Sequence, residues 1–220
     1  MKRIISPSLL SADFSNLIDD IKIVESVGVD RLHLDIMDGH FVPNLTFGPF
    51  IIEHIRKSTK CHLETHLMID NPSKFIKDYA KAGSDTIIIH YEASSDIRSD
   101  LNKIKNEGVL CGVAIKPETS YKVLEEYLDV IDYILVMSVS PGFGGQGFIK
   151  ETLDKMNSIN KMCIQNNCRK KIKIGVDGGV NLKTIESVYD TGIDITIVGS
   201  ALYGASNVKK RYYDLINEKY

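Results

Sequence analysis

Short runs of apolar residues alternate with longer amphipathic segments along the whole chain. Eight of these short runs have the length and composition of buried β-strands. They span Ile4–Leu10, Arg31–Met37, His62–Ile69, Thr86–Tyr91, Leu110–Ile115, Tyr133–Val139, Lys173–Asp177 and Ile195–Gly199. The segments between them repeat apolar residues at helical spacing, as at Leu17, Ile21 and Val24. The pattern therefore predicts eight strand–helix units.

Strict alternation of strand and helix predicts parallel strand pairing with right-handed crossovers. Eight units in 220 residues suit a closed (β/α)8 barrel, the TIM barrel, near the lower end of its size range. An open, doubly wound sheet is the competing architecture. Since no linker, low-complexity tract or charge block divides the chain, we expect one domain over residues 1–220.

The charge balance excludes one class of function. Lys and Arg number 27 against 29 Asp and Glu, giving a formal net charge of -2, so binding of nucleic acid by bulk electrostatics is not expected. No apolar run approaches the ~20 residues of a membrane-spanning helix, so no membrane partner is expected either.

The cysteines predict a reducing environment. The chain has four of them, Cys61, Cys111, Cys163 and Cys168, without a Cys-x-x-Cys pair. Cys61 and Cys111 fall in or beside predicted strands. Buried free thiols are the simplest interpretation. Polar residues and a proline interrupt the apolar stretch at the N-terminus, so no secretory signal is predicted. We expect a cytoplasmic protein.

Polar side chains occupy strand positions that should face the barrel interior. In the second predicted strand His33, Asp35 and Met37 share one face and Leu32, Leu34 and Ile36 the other, because strand side chains alternate with a period of two. The apolar face should pack against helices. The third strand has the inward set His62, Glu64, His66 and Met68, and the seventh ends with an inward Asp177. Active sites of such barrels lie at the carboxyl ends of the strands.

Two imidazoles and two carboxylates, His33, Asp35, His66 and Asp177, match the ligands of Zn²⁺, Fe²⁺, Co²⁺ or Mn²⁺. Taken singly, each histidine fits a core position and each aspartate a salt bridge. Together at strand ends they favour a metal site. The remaining histidines and one glutamate are given structural roles, the first two as polar partners in the core: His62, Glu64, His40, His54 and His90.

A glycine-rich segment, GFGGQG at 142–147, follows the sixth predicted strand. It formally fits the G-x-G-x-x-G dinucleotide fingerprint, but it comes late in the chain and lacks an acidic residue about 20 positions on. A loop whose backbone N–H groups cradle a phosphate or cover a polar substrate fits better. Glycine-containing turns also follow strands seven and eight, where this fold commonly grips phosphate, although plain turns are the alternative for each.

Three methionines fall at strand ends on the inward face: Met37, Met68 and Met137. Each alone is typical core filler. Around a metal they predict an apolar, polarisable wall that excludes water.

These residues carry a resemblance to the ribulose-phosphate 3-epimerase family that runs over nearly the whole chain. The matching blocks are Pro7–Phe14, His33–Gly39, Phe41–Asn44, Thr46–Pro49, His66–Met68, Pro141–Gln146, Val176–Val180 and Gly199–Ala201. The departures are small: Val198, Thr191, and a loop at 93–96 that lacks a histidine common in the family. None falls on a proposed ligand.

The resemblance implies a homo-oligomeric (β/α)8 enzyme with one divalent metal ion per chain (Zn, Fe, Mn or Co). It would interconvert D-ribulose 5-phosphate and D-xylulose 5-phosphate in the pentose phosphate pathway. The metal ligands would be His33, Asp35, His66 and Asp177, with Asp35 also the base at C3 and Asp177 the acid on the opposite face. Substrate contacts would come from Ser8, His66, Gly142, Phe143, Gly144, Gly145, Asp177, Gly178, Gly179, Gly199 and Ser200.

Three alternatives remain open from the sequence. An epimerase of a six-carbon ketose 6-phosphate, such as allulose 6-phosphate, would use the same ligands. A phosphate-binding barrel lyase should carry a lysine near the strand ends, where Lys116 and Lys173 are the candidates and Lys173 lies too early in its strand. A sugar-phosphate sensor would keep the glycine loops without needing both aspartates.

Overall fold

A computed structural model describes residues 3–217 and 219. Within them, eight parallel strands form one sheet in the order β1-β8-β7-β6-β5-β4-β3-β2. The strands are β1 (Ile4–Pro7), β2 (Arg31–Met37), β3 (His62–Met68), β4 (Thr86–His90), β5 (Leu110–Ile115), β6 (Tyr133–Met137), β7 (Lys173–Asp177) and β8 (Ile195–Val198). A parallel bridge between Ser8 and His33 joins the two ends of the sheet. The predicted (β/α)8 barrel is confirmed.

Helices follow the strands and pack around them. They are α1 (Leu17–Glu25), α2 (Pro49–Ser58), α3 (Ile76–Lys81), α4 (Ile97–Asn106), α5 (Thr152–Gln165), α6 (Ile185–Tyr189), α7 (Ser200–Tyr203) and α8 (Val208–Ile216). Local sequence fixes several starts: Pro49 supplies the first residue of α2, and the Asp96 carboxylate accepts the Ser99 N–H at 3.0 Å to cap α4. None of the helices described has the length and hydropathy needed to span a lipid bilayer.

The fifth crossover differs from the prediction, because a 3-10 helix, Tyr121–Tyr127, stands between β5 and β6. Its sequence explains this: Tyr121, Leu124 and Tyr127 recur every third residue, which aligns them on one face of a 3-10 helix. Leu124, on that face, is fully buried.

Several strands are shorter than predicted. The first ends at Pro7 rather than Leu10, and a 3-10 helix, Leu9–Ser11, follows it. The predicted terminal residues Ile69, Tyr91, Val139 and Gly199 also lie beyond their strands. Apolar character continues past the strands because the first loop residues are themselves buried, as Leu9 is.

The two faces of the strands build two cores. Outward residues such as Leu32, Leu34 and Ile36 join the large cluster between sheet and helices. Inward residues form the second cluster inside the barrel: Ile88, Ala114, Tyr133, Leu135, Met137, Val139, Ile195 and Ile197. Full burial of one such aliphatic side chain contributes roughly 1.5–3 kcal/mol. These apolar residues fill most of the barrel, and polar side chains gather on the side of β2 and β3.

Candidate active site

Four titratable side chains from three strands meet inside the barrel. His33 and Asp35 extend from β2, His66 from β3 and Asp177 from the end of β7. Strand register places Asp35 beside His66. One nitrogen or oxygen of each side chain lies within 4.8 Å of the others. The period-two prediction for these positions is confirmed, and the structure brings together all four residues that the sequence singled out.

The spacing of these atoms fits one metal ion held between them. His33 Nε2 and His66 Nδ1 are 3.2 Å apart, and Asp35 Oδ1 lies 3.5 Å from each. Asp177 Oδ2 is 3.9 Å from the first nitrogen and 3.8 Å from the second. Two atoms that each lie about 2.0–2.2 Å from a shared ion are separated by at most about 4.4 Å, and all of these distances fall below that limit. The nitrogen and oxygen set also suits a borderline divalent cation.

The two carboxylic acids are held in different electrostatic surroundings. Burial acts to raise the pKa of Asp35, but the charge and hydrogen bond of His33 outweigh it and hold that pKa well below its usual range. For Asp177, burial and the negative charge of Asp35 both raise the pKa. The pair therefore favours one ionised and one protonated carboxyl group.

The two histidines differ in the same way. Burial disfavours the charged form of His33, but the carboxylates of Asp35, Glu64 and Asp177 outweigh burial and raise its pKa. Burial dominates at His66 and lowers its pKa, helped by the neighbouring histidines. A metal ion held here would need both histidines as neutral ligands, so the raised pKa of His33 would oppose its binding at low pH.

Polar groups deeper in the barrel support the cluster from below. Glu64 pairs with the Arg31 guanidinium, accepts the Ser6 hydroxyl at 2.7 Å, and lies 3.6 Å from His33 Nδ1. His62 Nε2 is 2.7 Å from the Thr86 hydroxyl. Glu64 is thus a polar partner in the core as predicted, whereas His62 is only half-buried.

A cavity of about 250 Å³ opens above the cluster at the carboxyl ends of the strands. This volume lies just below the range of about 300–1,000 Å³ that holds drug-sized ligands, so it suits a small molecule. Most of the predicted site residues line it: Ser8, Asp35, Met37, Met68, Met137, Gly142, Phe143, Gly144, Gly145, Asp177, Gly178, Gly179, Gly199 and Ser200. His33 and His66 are fully buried and do not line it, although His66 was expected to touch substrate.

Hydrogen bonds position the cavity lining. The Ser8 hydroxyl donates to Asp35 Oδ2 at 2.6 Å. The side-chain amide of Gln146 donates to the Phe143 carbonyl at 2.8 Å, and that of Asn44 donates to the Gly142 carbonyl at 2.7 Å. These bonds hold the glycine-rich loop in place over the cavity.

Two glycines are required where chain segments approach closely. A Cβ on Gly179 would lie 2.5 Å from the backbone nitrogen of Phe148, and its φ of +65° also disfavours a side chain. A Cβ on Gly199 would lie 2.6 Å from the Ser11 hydroxyl oxygen. Close packing of a neighbouring segment therefore requires glycine at both of these positions in the cavity lining.

The three methionines meet at the cavity as well. Met37 and Met68 are paired across β2 and β3 and cluster with Val42, while Met137 belongs to the core inside the barrel. All three are nearly fully buried and line the cavity. Their position fits the predicted apolar wall.

Sequence reasoning missed several cavity residues and one buried histidine. The cavity residues not predicted include Ser11, Gln146 and Asn181, although Ser11 and Gln146 lie in blocks that carry the family resemblance. His90 was assigned only a structural role, but its Nε2 lies 2.9 Å from Nε2 of His66. The assignment holds for His40 and His54, which are exposed and hydrogen bond to nearby backbone carbonyls.

A carboxylate at the protein surface, that of Glu92, completes the surroundings of His90. Its Nδ1 lies 3.1 Å from Glu92 Oε2. Burial alone would raise the pKa of Glu92, but hydrogen bonds from His90, Thr119 and the Lys116 backbone N–H lower it to about 2. Burial lowers the pKa of His90, so this imidazole is neutral while Glu92 is ionised.

Comparison with known proteins connects this site to one family. The sequence model described as "Ribulose-phosphate 3 epimerase family" matches residues 4–203. "Ribulose-phosphate 3-epimerase" of Bacillus subtilis is 43% identical over 98% of this chain and 99% of its own length. The same-named protein of Synechocystis is 42% identical over 98% and 94%, and a chloroplastic one of Arabidopsis thaliana is 41% identical over 93% and 73%.

Solved structures agree on the fold. KGPDC from Streptococcus mutans superimposes with a TM-score of 0.74 at 16% identity, covering 99% of this chain and 98% of its own. A mutant tryptophan synthase α-subunit from Pyrococcus furiosus gives 0.72 at 16% identity, with 98% of both chains covered. At this identity the likeness is one of fold alone. The sequence matches decide the relationship, and the chain belongs to the ribulose-phosphate 3-epimerase family.

Proposed function

We propose that this chain is a metal-dependent isomerase that interconverts D-ribulose 5-phosphate and D-xylulose 5-phosphate in the pentose phosphate pathway. The observation that carries the proposal is the meeting of two carboxyl groups, Asp35 from β2 and Asp177 from β7, in one cluster. The two strands are separated by β1 and β8, so the carboxyl groups approach the cavity from different directions. Inversion at a carbon needs a proton acceptor on one face and a donor on the other.

Proton transfer is assigned to these two groups. An ionised Asp35 takes the proton from C3, and a protonated Asp177 returns one to the opposite face. The hydroxyl of Ser8, bonded to Asp35 Oδ2 at 2.6 Å, orients the base and lies where it can contact the sugar. One carboxylate acting alone would mostly return the proton to the face it came from.

His33, Asp35, His66 and Asp177 would hold one divalent ion, Zn²⁺, Fe²⁺, Mn²⁺ or Co²⁺. When bound, such a cation supplies Lewis-acid stabilisation of the negative charge that develops on the substrate oxygens. The three methionines keep water from the reacting carbon, which strengthens every electrostatic interaction there.

Substrate binding is assigned to the glycine loops. Gly178, Gly179, Gly199 and Ser200 offer backbone to the phosphate, and the loop 142–145 covers the sugar. Phosphate binding far from C3 supplies energy that positions the reacting carbon.

The test of this proposal is activity and metal content measured together. Chelator-treated protein should lose epimerisation of D-ribulose 5-phosphate and regain it with Zn²⁺, Mn²⁺, Co²⁺ or Fe²⁺. His66→Ala should lower metal content by elemental analysis, whereas His54→Ala, at an exposed histidine, should not. Full turnover by protein shown to contain no metal would overturn the proposal.

The alternatives are separated by substrate and product. Lys116, the lysine on which a lyase would depend, does not line the cavity, and its ammonium lies 4.3 Å from the centroid of the Phe41 ring. Faster turnover of a six-carbon ketose 6-phosphate than of ribulose 5-phosphate would identify the other epimerase.

The same proposal treats residues 1–220 as one catalytic domain of a cytoplasmic homo-oligomer. Support for the location comes from the cysteines, which are all free thiols. Support for self-association comes from large apolar side chains exposed in the loops after β1 and β2 and at the start of α2: Phe14, Leu45 and Phe50.

A further inference from the structure

A chain of hydrogen bonds leads away from the proposed metal site through His66. Its Nδ1 faces His33 and Asp35, while its Nε2 lies 2.9 Å from Nε2 of His90. The other nitrogen of His90, Nδ1, lies 3.1 Å from Glu92 Oε2. Both histidine side chains are fully buried, which shields the bond between them from water, whereas Glu92 lies at the protein surface.

Glu92 determines which nitrogen donates and which accepts in each hydrogen bond of this series. Its Oε1 accepts the backbone N–H of Lys116 at 2.8 Å and the hydroxyl of Thr119. An ionised carboxylate only accepts hydrogen bonds, so Nδ1 of His90 must carry the proton that Oε2 receives.

The direction passes from His90 to His66. A neutral imidazole has one donor and one acceptor, so Nε2 of His90 accepts. Nε2 of His66 must then be the donor, which leaves the lone pair of its Nδ1 free. This nitrogen is the one that lies 3.2 Å from His33 Nε2 and 3.5 Å from Asp35 Oδ1.

We propose that His90 and Glu92 are positioning residues that hold His66 in the Nε2–H tautomer and thereby present its Nδ1 to the divalent cation. The inference rests on the metal site of the proposed function. Histidine ligands commonly donate their second N–H to such a partner, and loss of the partner costs about 10- to 100-fold in metal affinity or activity. Here the partner is a second histidine, fixed in turn by a carboxylate.

Glu92→Gln tests the direction of the chain with little change of shape. The amide oxygen should stay on the donors Lys116 N–H and Thr119 hydroxyl, which places the amide NH2 against His90 Nδ1. That nitrogen would then accept, His90 would donate from Nε2, and the proton of His66 would move to Nδ1. We expect Zn²⁺ affinity, measured by competition with a chromophoric chelator, to fall about 10- to 100-fold.

Glu118→Gln is the matched control. Glu118 is exposed, and its charge also acts on His90. If direction of hydrogen bonding decides the affinity, this variant should bind Zn²⁺ as the parent does. An equal loss in both variants would assign the effect to charge and overturn the inference.

NMR of ¹⁵N-histidine-labelled, chelator-treated protein reads the tautomers directly. The parent should carry protons on His66 Nε2 and His90 Nδ1, and Glu92→Gln should move them to His66 Nδ1 and His90 Nε2. A parent proton on His66 Nδ1 would overturn the inference even if the variant failed to fold. If the parent protein showed the expected tautomers but bound no Zn²⁺, the metal site of the proposed function would be contradicted, and not the tautomer assignment.

Discussion

Asp35 and Asp177 carry the same functional group in different surroundings. Asp35 accepts the Ser8 hydroxyl at 2.6 Å and lies 3.5 Å from nitrogens of both His33 and His66. The charge of His33 stabilises the ionised form of Asp35, whereas burial and the charge of Asp35 raise the pKa of Asp177 and favour its neutral form. The directions of the two pKa shifts support the proposed roles of Asp35 as base and Asp177 as acid.

Isotope exchange in the two Asp→Asn variants tests this assignment. Each Asn keeps one oxygen but cannot shuttle a proton, so epimerisation should fall about 10²–10⁴-fold in both variants. Asp35→Asn should also stop exchange of the C3 proton of ribulose 5-phosphate with solvent. Asp177→Asn should still exchange it, because Asp35 can return a solvent proton to the same face. The measurement is the deuterium content of recovered substrate in D₂O.

Metal content of each variant is the control for that experiment, since both residues are proposed ligands. If both variants contained metal and still epimerised the substrate at the parent rate, the two-carboxylate mechanism would be excluded. If both variants exchanged the C3 proton with solvent to the same extent, the assignment of one face to each residue would be wrong.

At the scale of elements, the sequence predicts the strands better than their ends. Period-two alternation identifies the inward face of β2 because polar and apolar residues alternate there without exception up to Ile36. The end of β1 is not predictable in this way, because Leu9 would be buried as a strand residue and is equally buried in the 3-10 helix that it forms. A run of apolar residues predicts that the segment is buried, but it does not predict whether its backbone forms a strand or a 3-10 helix.

The role of His90 escapes sequence reasoning for a different reason. A single histidine at the end of an apolar strand is usually a core residue. Its partners His66 and Glu92 are 24 residues before it and two after it, and only the pairing of β3 with β4 brings all three together. Ser11 is similar, since its closeness to Gly199 depends on the pairing of β1 with β8.

The loop after β8 gives a prediction at this scale. Gly199→Val should raise KM for ribulose 5-phosphate, because its Cβ would fall 2.6 Å from the Ser11 oxygen and block approach of the phosphate to the backbone. Gly147→Ala is the matched control, since its Cβ meets open space. Steady-state kinetics should show at least a tenfold change for the first, roughly 1.4 kcal/mol in binding, and little for the second. An unchanged KM in Gly199→Val would place the phosphate elsewhere.

The surface of the whole molecule predicts self-association. Leu45 and Phe50 are 72% and 69% exposed, and Phe14, 48% exposed, contacts Phe47 with ring centroids 5.6 Å apart. We call Phe14, Leu45, Phe47 and Phe50 the apolar patch. Exposure of this kind is common at protein interfaces.

Light scattering of Phe50→Glu tests whether the apolar patch is the interface. A charge within an interface core is strongly unfavourable, so the variant should shift the oligomer towards monomer. Ile164→Glu, at a 57% exposed residue of α5, is the comparison and should leave the mass unchanged. If only Ile164→Glu dissociated the oligomer, the interface would lie at α5 and not at the apolar patch. If the parent protein were monomeric, the prediction of self-association would be wrong.

The joint between β1 and β2 has a consequence for the stability of the barrel as a whole. Neighbouring strands elsewhere share ladders of paired residues, but among the residues that the structure describes these two meet through one bridge, between Ser8 and His33. The hydrogen bond from Ser8 to Asp35 crosses the same joint. The proposed site therefore lies at the closure of the barrel. A ligand bound by residues of both strands would strengthen the joint between β1 and β2, where the strands share the fewest paired residues. Binding at one hundred times Kd would stabilise the folded chain by about 2.7 kcal/mol, and the gain would fall where opening is easiest.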